Sequence, residues 1–321
     1  MSKRTKIWLV IATSLVLIGC AVFVGVMATL KWDFTKLSTA EYETNEYEVR
    51  EKYKDISIIT DTADIVFVAS EDSKTSVVCH EQKNMKHLVT VNDGTLVIEV
   101  VDTGKWYDHI GINFGTPKIT VYIPQGEYGA LLVKSSTGDV EIPKEFKFKG
   151  IDISGSTGDV TSYASVSDAV KIKTSTGNIC VENISAGALD LSVSTGKVTV
   201  SGVNCEGDVT IAVSTGKAYL THIACRSFIS RGSTGDISLE NVIAAEKLSI
   251  ERSTGNVKFD GADAAEVFVK TGTGDVTGTL LSEKVFIVET DTGRVDVPKT
   301  VAGGRCEITT DTGDIRIKTQ Q

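Results

Sequence analysis

The chain has 321 residues and a formal net charge of −9, with an ordinary globular balance of 41% hydrophobic and 23% charged residues. Four histidines and 7% aromatic residues are a thin supply of the groups that usually do chemistry. Residues 1–31 hold four lysine or arginine residues and no acidic one, so the rest of the chain is more acidic than the whole. Such a surface repels phosphate backbones, which excludes a nucleic-acid-binding protein.

The first element is an uncharged apolar run over residues 7–30. Its 24 residues cross the ~30 Å hydrocarbon core of a bilayer as a helix, whereas the apolar region of a signal peptide has roughly 7–15 residues. Lys3, Arg4 and Lys6 precede the run, and the positive-inside bias favours a cytoplasmic N-terminus. The sequence therefore predicts a cytoplasmic tail over 1–6, a transmembrane helix over 7–30 and an extracytoplasmic remainder.

A lipid anchor is the alternative for this segment. Residues 17–20, Leu-Ile-Gly-Cys, resemble a bacterial lipobox with Cys20 as the lipidated residue. Ten further apolar residues follow Cys20, where a lipoprotein normally becomes polar, and this favours the transmembrane helix.

Residues 31–46 are polar and mixed, which predicts a short stalk. Residues 47–134 alternate apolar and polar positions in short blocks, which predicts degenerate rungs of a solenoid together with an N-terminal cap. Residues 60–65 read like residues 310–315, with Ala63 in place of a turn glycine.

One stretch of this region, residues 105–114, is rich in aromatic residues and interrupts the alternation. Exposed aromatic side chains are typical of recognition surfaces. A loop folded over the first rungs would have the same composition, and we favour that interpretation. The candidate binding residues of the stretch are Trp106, Tyr107, His109 and Phe114.

The strongest pattern is a ten-fold Thr-Gly repeat at intervals of 19 or 20 residues. We interpret its glycines as structural turn residues, because glycine adopts backbone angles that other residues avoid. The turn glycines are Gly138, Gly158, Gly177, Gly196, Gly216, Gly235, Gly255, Gly274, Gly293 and Gly313.

Each repeat contains two short segments with period-two alternation, as in Val170/Ile172 before a turn and Ile179 after it. Such units have no core of their own, but stacked at ~4.8 Å per rung they bury one continuous apolar column. A leucine-rich repeat would show a helix-length segment, and a propeller blade needs roughly 40 or more residues. The sequence therefore predicts an all-β fold, a parallel β-solenoid of ten rungs over residues 135–321.

The motif Ser-Thr-Gly-Asp-Val at residues 136–140, with its variant Thr-Asp-Thr-Gly at 290–293, resembles the bacterial "putative adhesin" family, also called domain of unknown function 4097. The resemblance covers residues 47–321. It implies a right-handed single-stranded β-helix in the bacterial cell envelope, and it brings no catalytic motif.

Two columns of polar residues accompany the turn glycines. The residue after each glycine is often Asp or Asn, as at Asp139 and Asp159, which suits either a calcium ladder or simple turn chemistry. Lys197 and Lys217 interrupt the row and favour turn chemistry. The threonine before each glycine predicts a hydroxyl ladder that stabilises the turns or faces a repetitive ligand such as a glycan or ice.

No catalytic, cofactor or metal site is predicted. The histidines, at 80, 87, 109 and 222, lack the spacing of metal ligands, and no Ser-His-Asp order, H-E-x-x-H or Walker loop occurs. Cys205 and Cys225 each follow a turn glycine by nine residues, which suits either a disulfide or two buried apolar side chains. The rung of Gly313 is expected at the end of the rod, where Arg316 and Lys318 protect its edge or it docks another molecule.

The predicted function is that of a single-pass, non-catalytic, adhesin-like binding or structural module of the bacterial cell envelope. Its predicted partners are cell-wall glycan, a host surface or a membrane protein. The alternative is an accessory protein of an envelope-stress or sensor system that binds a membrane-protein partner. A glycan-active enzyme is a more distant alternative.

Overall fold

The computed structural model describes residues 2–37, 40–104 and 115–320. Helix α1 spans Lys3–Thr29, and the Ser2 hydroxyl caps it by accepting a hydrogen bond from the Thr5 backbone N–H (3.2 Å). With a mean hydropathy of 2.7, α1 is long and apolar enough to cross a membrane, a test that a signal sequence also passes. A short 3₁₀ helix follows over Phe34–Leu37.

Seven strands build the N-terminal part of the β domain. Strands β2 and β3 follow one another around the first rung. Strand β6 pairs in parallel with β2, and β7 pairs in parallel with β3. Antiparallel strands then cover this end, because β5 pairs with β6, β4 with β7 and β1 with β4. The strands are β1 Tyr42–Val49, β2 Asp55–Thr62, β3 Asp64–Ala69, β4 Thr75–Gln82, β5 Met85–Asn92, β6 Thr95–Asp102 and β7 Lys118–Ile123.

We call β1, β4 and β5 the cap. Strand β1 begins at Tyr42, inside the segment 31–46 that the sequence predicted as a stalk, and Tyr42 pairs with Gln82 of β4. The β domain therefore starts a few residues earlier than predicted, because residues 42–46 alternate between the two faces of an edge strand.

The remaining strands form the Thr-Gly rungs, and each rung pairs in parallel with its neighbours. The strands are β8 Gly126–Thr137, β9 Val140–Ile142, β10 Phe146–Thr157, β11 Val160–Ser162, β12 Ser165–Val166, β13 Ala169–Thr176, β14 Ile179–Glu182, β15 Ser185–Ala186, β16 Ala188–Thr195, β17 Val198–Cys205, β18 Val209–Thr215, β19 Ala218–Thr234, β20 Ile237–Thr254, β21 Val257–Thr273, β22 Val276–Leu280, β23 Lys284–Thr292, β24 Val295–Asp296, β25 Gly304–Thr312 and β26 Ile315–Thr319.

The core is one continuous column of inward side chains. Ile153, Ile172, Leu191 and Ile211 stack in register on consecutive rungs, and all are buried. The alternation that predicted the strands selects these inward residues, because successive side chains of a strand point to opposite faces. The prediction of a parallel β-solenoid is confirmed.

The first rung and the last rungs depart from a plain stack. Thr62 of β2 pairs with Thr137 of β8, so Ala63 takes the place of a turn glycine, as the likeness of residues 60–65 to 310–315 predicted. At the other end, β25 pairs with β21 on one side and with β23 on the other. The rung of Gly313 therefore lies between the rungs of Gly274 and Gly293.

This order corrects the expectation that the Gly313 rung ends the rod. We call β25–β26 the inserted rung and β23–β24 the terminal rung. Within the described chain, β23 pairs only with β25, and β24 only with β26. The motif repeats so regularly that either rung fits the register of β21 and β22, and the spacing of the repeats therefore left the order open.

A buried lysine holds the terminal rung across the inserted one. Lys284, at the start of β23, pairs with Gly304 of the inserted rung, and its Nζ donates to the Ala264 carbonyl oxygen (2.7 Å) of β21. The same Nζ lies 2.7 Å from Asp263 Oδ1 and 2.6 Å from Ser282 Oγ. The side chain thereby joins strands that are not neighbours, and we call it the lysine clip.

Candidate functional site

The turn glycines form one column at a corner of the solenoid. A Cβ at Gly196 would lie 1.8 Å from the Gly177 carbonyl oxygen, and Gly196 has a φ of 152°. The same close approach recurs at each of the ten repeat glycines. Both the contact and the backbone angle require glycine, so this column has a structural role.

The polar residues that follow the glycines form a hydrogen-bond ladder. The Asp159 backbone N–H donates to Asp139 Oδ1 (2.7 Å), and the Asn178 N–H donates to Asp159 Oδ1 (2.7 Å). The inserted rung continues the ladder, since Asp314 N–H donates to Asp275 Oδ1 and Arg294 N–H to Asp314 Oδ1. These carboxylate oxygens therefore connect rungs, as the turn interpretation expected.

The threonines that precede the glycines form a second column, on the outside of the corner. Each pairs with its counterpart on the next rung, from Thr62 and Thr137 to Thr312 and Thr292. With Thr62, which precedes Ala63, the column has eleven threonines; all are exposed, and across the described residues none has a side-chain hydrogen bond. Seven exposed serines lie directly beside them: Ser136, Ser156, Ser175, Ser194, Ser214, Ser233 and Ser253.

We call the threonine column, together with the seven serines beside it, the hydroxyl ridge. Neighbouring parallel strands lie about 4.8 Å apart, so the ridge repeats its hydroxyl groups at that spacing along the rod. Each hydroxyl offers one donor and two acceptor lone pairs. Because they are unused within the fold, these groups are available to a ligand.

Trp106, Tyr107, His109 and Phe114 lie outside the described residues. The Tyr42 hydroxyl donates to the Gly115 carbonyl oxygen (3.0 Å), which ties the chain just after that stretch to the cap.

A cluster inside the cap was not expected from the sequence. Cys79, Glu81 and His87 are all buried, and one ligand atom of each lies within 4.8 Å of the others. Their positions are not spaced like a metal motif, because a hairpin between β4 and β5 brings His87 back onto β4. The available signal was Glu81 itself, an acid at an inward position of an alternating strand.

The cysteines are free thiols throughout the described chain. Cys205 and Cys225 are both buried, and the burial raises the pKa of the Cys225 thiol to about 12. They are therefore buried side chains rather than a disulfide. Cys20 is exposed on α1.

Two surface grooves lie near opposite ends of the β domain. One groove of about 960 Å³ is lined mainly by charged and small polar side chains between β1, β3 and β4. Another, of about 630 Å³, contains Ser282 beside the lysine clip. There Lys284 is held by Asp263 and the Ala264 carbonyl, so it serves the fold.

Comparison with known proteins identifies the family of this chain. The DUF4097 family, described as Toastrack, matches residues 53–213 and 204–321. The chain belongs to the DUF4097 family. No curated protein matches the chain.

Solved structures similar to this DUF4097 protein include several from Parabacteroides species. A "putative adhesin" from Parabacteroides merdae is 13% identical, with a TM-score of 0.51 over 76% of this chain and 98% of that one. A "putative adhesin" from Parabacteroides distasonis is 13% identical, with a TM-score of 0.50 over 85% and 98%. At this identity the likeness shows the fold alone.

A third similar structure has a different name. It is a "putative lipid binding protein" from Parabacteroides distasonis, 17% identical, with a TM-score of 0.47 over 88% of this chain and 98% of that one. Neither the family description nor the names of the two "putative adhesin" structures specify an enzymatic activity.

Proposed function

We propose that this DUF4097 protein is a non-catalytic, adhesin-like binding module that its N-terminal helix holds at the outer face of a bacterial membrane. The hydroxyl ridge is the observation that supports the proposal. Eleven exposed threonine hydroxyls in register, none used by the fold, suit a ligand that is itself repetitive and rich in hydroxyl groups. Cell-wall polymer and surface glycan have that chemistry.

Many weak contacts add up along such a ridge. A single exposed hydrogen bond contributes little, because it replaces a bond to water. A polymer that engages several rungs gains from effective concentration, since each further contact is intramolecular. The ridge therefore predicts low affinity for a short sugar and much higher affinity for a long chain.

The orientation follows from charge. Lys3, Arg4 and Lys6 stand at the start of α1, and the positive-inside bias supports a cytoplasmic position for that end. The solenoid then lies outside, where glycan, wall polymer and other cells are accessible.

A second candidate function is supported by the terminal rung. There Ile287 and Val295 are about half exposed, and Val301 in the following loop is 97% exposed. An apolar end with an unpaired strand edge is suited to docking a protein. An accessory protein of a sensor or envelope-stress system would use this end to bind a membrane-protein partner.

The test compares two sets of threonine variants in the full-length protein. Thr176→Val, Thr195→Val and Thr215→Val together remove three central hydroxyls of the ridge at constant shape. Thr161→Val, Thr199→Val and Thr277→Val remove three outward hydroxyls from the neighbouring side and serve as the matched control. Retention on wall polymer or an immobilised glycan should fall for the first set alone.

Other outcomes discriminate the alternatives. Equal retention of both sets would contradict the ridge as the binding surface. A membrane protein recovered from solubilised membranes by the full-length chain, and lost on Ile287→Lys, would favour the accessory function. Turnover of the polysaccharide would favour an enzyme.

A further inference from the structure

The interior of the cap contains a carboxylate where the strand pattern calls for an apolar residue. Inward positions of β4 alternate through Val77, Cys79 and Glu81, and Glu81 is completely buried. Within the described residues its ion-pair partner is His87 alone, which is itself 4% exposed. Burying a carboxylate is costly unless it is fully hydrogen-bonded or neutralised by a cation.

Four strands converge on these side chains. Glu81 Oε1 accepts hydrogen bonds from Asn45 Nδ2 (2.7 Å) and the Tyr47 hydroxyl (3.4 Å), both on β1. Glu81 Oε2 accepts from the His87 backbone N–H (2.6 Å) and lies 2.7 Å from His87 Nδ1. On β2, Thr60 Oγ1 lies 3.0 Å from His87 Nε2.

We propose that Cys79, Glu81 and His87 bind a thiophilic divalent cation of the zinc class. Thiolate, imidazole and carboxylate are the ligands that zinc takes in proteins. Their ligand atoms lie within 4.8 Å of one another, and ligands of a tetrahedral zinc ion are about 3.5 Å apart. Glu81 Oε2 and His87 Nδ1 are 2.7 Å apart, so binding an ion between them requires this pair to separate by about 1 Å. Three protein ligands leave the fourth position to water.

The surrounding hydrogen bonds are suited to orienting Glu81 and His87 toward an ion. The ion takes the place of the proton between His87 Nδ1 and Glu81 Oε2, and the imidazole proton moves to Nε2, where Thr60 Oγ1 accepts it. Asn45 and Tyr47 continue to hold Oε1 while Oε2 binds the ion. Metal-bound histidines usually donate their second ring N–H in this way, and the partner fixes the ring.

Charge and proton balance also fit. Binding releases one proton, from the Cys79 thiol, and the resulting thiolate, the Glu81 carboxylate and a divalent cation sum to zero charge. A neutral site suits a buried position. Without the ion, burial and the charge of Glu81 raise the pKa of the Cys79 thiol to about 12.

Cobalt(II) is the probe, since it occupies zinc sites and a thiolate ligand gives it a near-ultraviolet charge-transfer band. We would titrate cobalt into the reduced, untagged full-length protein in detergent and record the absorption spectrum. The expected result is a saturable thiolate-to-cobalt band that zinc displaces. Zinc should also raise the melting temperature, because it binds only the folded cap.

Matched variants make the assignment specific. Cys79→Ser should abolish the band, whereas Cys306→Ser, which removes another fully buried thiol whose pKa burial raises to about 12, should leave it intact. Thr60→Val should weaken cobalt affinity about 10–100-fold, because it removes the hydroxyl that fixes the orientation of the His87 ring. Melting of each variant without metal verifies that it folds.

Two results would overturn the proposal. One is a folded protein that shows no charge-transfer band at saturating cobalt, which would leave Glu81 and His87 as a hydrogen-bonded pair only. The other is a band that persists in Cys79→Ser, which would assign cobalt to a different thiol.

Discussion

The two ends of the solenoid are closed by different means. At the N-terminal end the antiparallel strands β1, β4 and β5 cover the first rungs, and the polar cluster around Glu81 links four strands. At the other end the terminal rung stands alone on the inserted rung, and Phe286 and Val288 remain only partly buried. One end is covered by additional strands, whereas the terminal rung at the other end pairs on one side only and is joined past its neighbour by one buried lysine.

The difference matters because a solenoid is stabilised between neighbouring rungs. A middle rung packs on two neighbours and an end rung on one, so end rungs open first unless something else holds them. We expect the cap to open together with the whole solenoid, and the terminal rung to open by itself. Four predictions test or sharpen this contrast.

The largest effect is expected in the turn column. Gly196→Ala places a Cβ against the Gly177 carbonyl and forces a non-glycine residue to a φ of 152°, which should cost at least about 4 kcal/mol of unfolding free energy. Gly293→Ala meets the Gly313 carbonyl oxygen at 2.0 Å, but Gly293 is not in the positive-φ region and the terminal rung has a free side on which to move, so a smaller cost is expected.

Urea denaturation measures the loss of unfolding free energy in the two variants. Gly150→Ala is the control, because its Cβ would lie at an ordinary 3.5 Å from the Ala169 carbonyl oxygen. A cost at Gly293 as large as that at Gly196 would show that the terminal rung is as firmly held as the middle.

The next effect is expected in the cap. Glu81→Ala leaves the buried donors of Asn45 and His87 without their acceptor, which should cost about 3 kcal/mol. Because the cap is joined to the first rungs, hydrogen exchange should speed up over β4 and β5 and also over β2. Glu99→Ala, an exposed acid on β6, should leave both stability and exchange unchanged.

A smaller and more local effect is expected at the lysine clip. Lys284→Met removes the ammonium group that joins the terminal rung to Asp263 and Ala264, which should cost about 2 kcal/mol. Hydrogen exchange should speed up in β23 and β24 while β19 and β20 keep their protection. Lys299→Met removes an exposed charge in the adjacent loop and is the control. Uniform loss of protection along the rod would contradict a separately opening terminal rung.

The smallest effect concerns pH. A hydrogen bond from the Asn256 backbone N–H, followed by the nearby Lys217, holds the pKa of Asp236 below its ordinary 3.8. The lowered pKa stabilises the fold above pH 3.8, and this contribution is lost as the pH falls through the folded-state value.

The Asp236 side chain is 42% exposed, so solvent screens its charge and the contribution should stay under about 1 kcal/mol. Asp236→Asn keeps the acceptor oxygen and loses the charge. The urea midpoint of the wild-type protein should fall more steeply between about pH 5 and pH 3 than that of the variant. Parallel curves would exclude a role for the charge.

Local turn chemistry made most of the fold predictable. The turn glycines identify each rung, because stacked corners exclude a side chain, and alternation then identifies inward residues such as Ile172 and Leu191. Even the rung without a glycine could be aligned, since residues 60–65 keep the pattern around Ala63.

What the sequence did not reveal depends on contacts between distant segments. The inserted rung carries the same motif as the terminal rung, so spacing alone could not order them. The cap cluster depends on the β4–β5 hairpin, which brings His87 to Glu81, and no local motif encodes it. The hydroxyl ridge was expected as a column, but only the structure shows that its hydroxyls are unused by the fold.

The inserted rung has a consequence for the order in which the protein is made. A solenoid stacked in chain order could complete each rung as it emerged from the ribosome or the secretion channel. Here residues 284–296 are made before residues 304–319, yet rest on them in the finished rod. The earlier segment must either wait unpaired or settle provisionally on β21 and later be displaced. The final step of maturation is then an insertion, and that step can be slow in a chain whose other rungs assemble one after another.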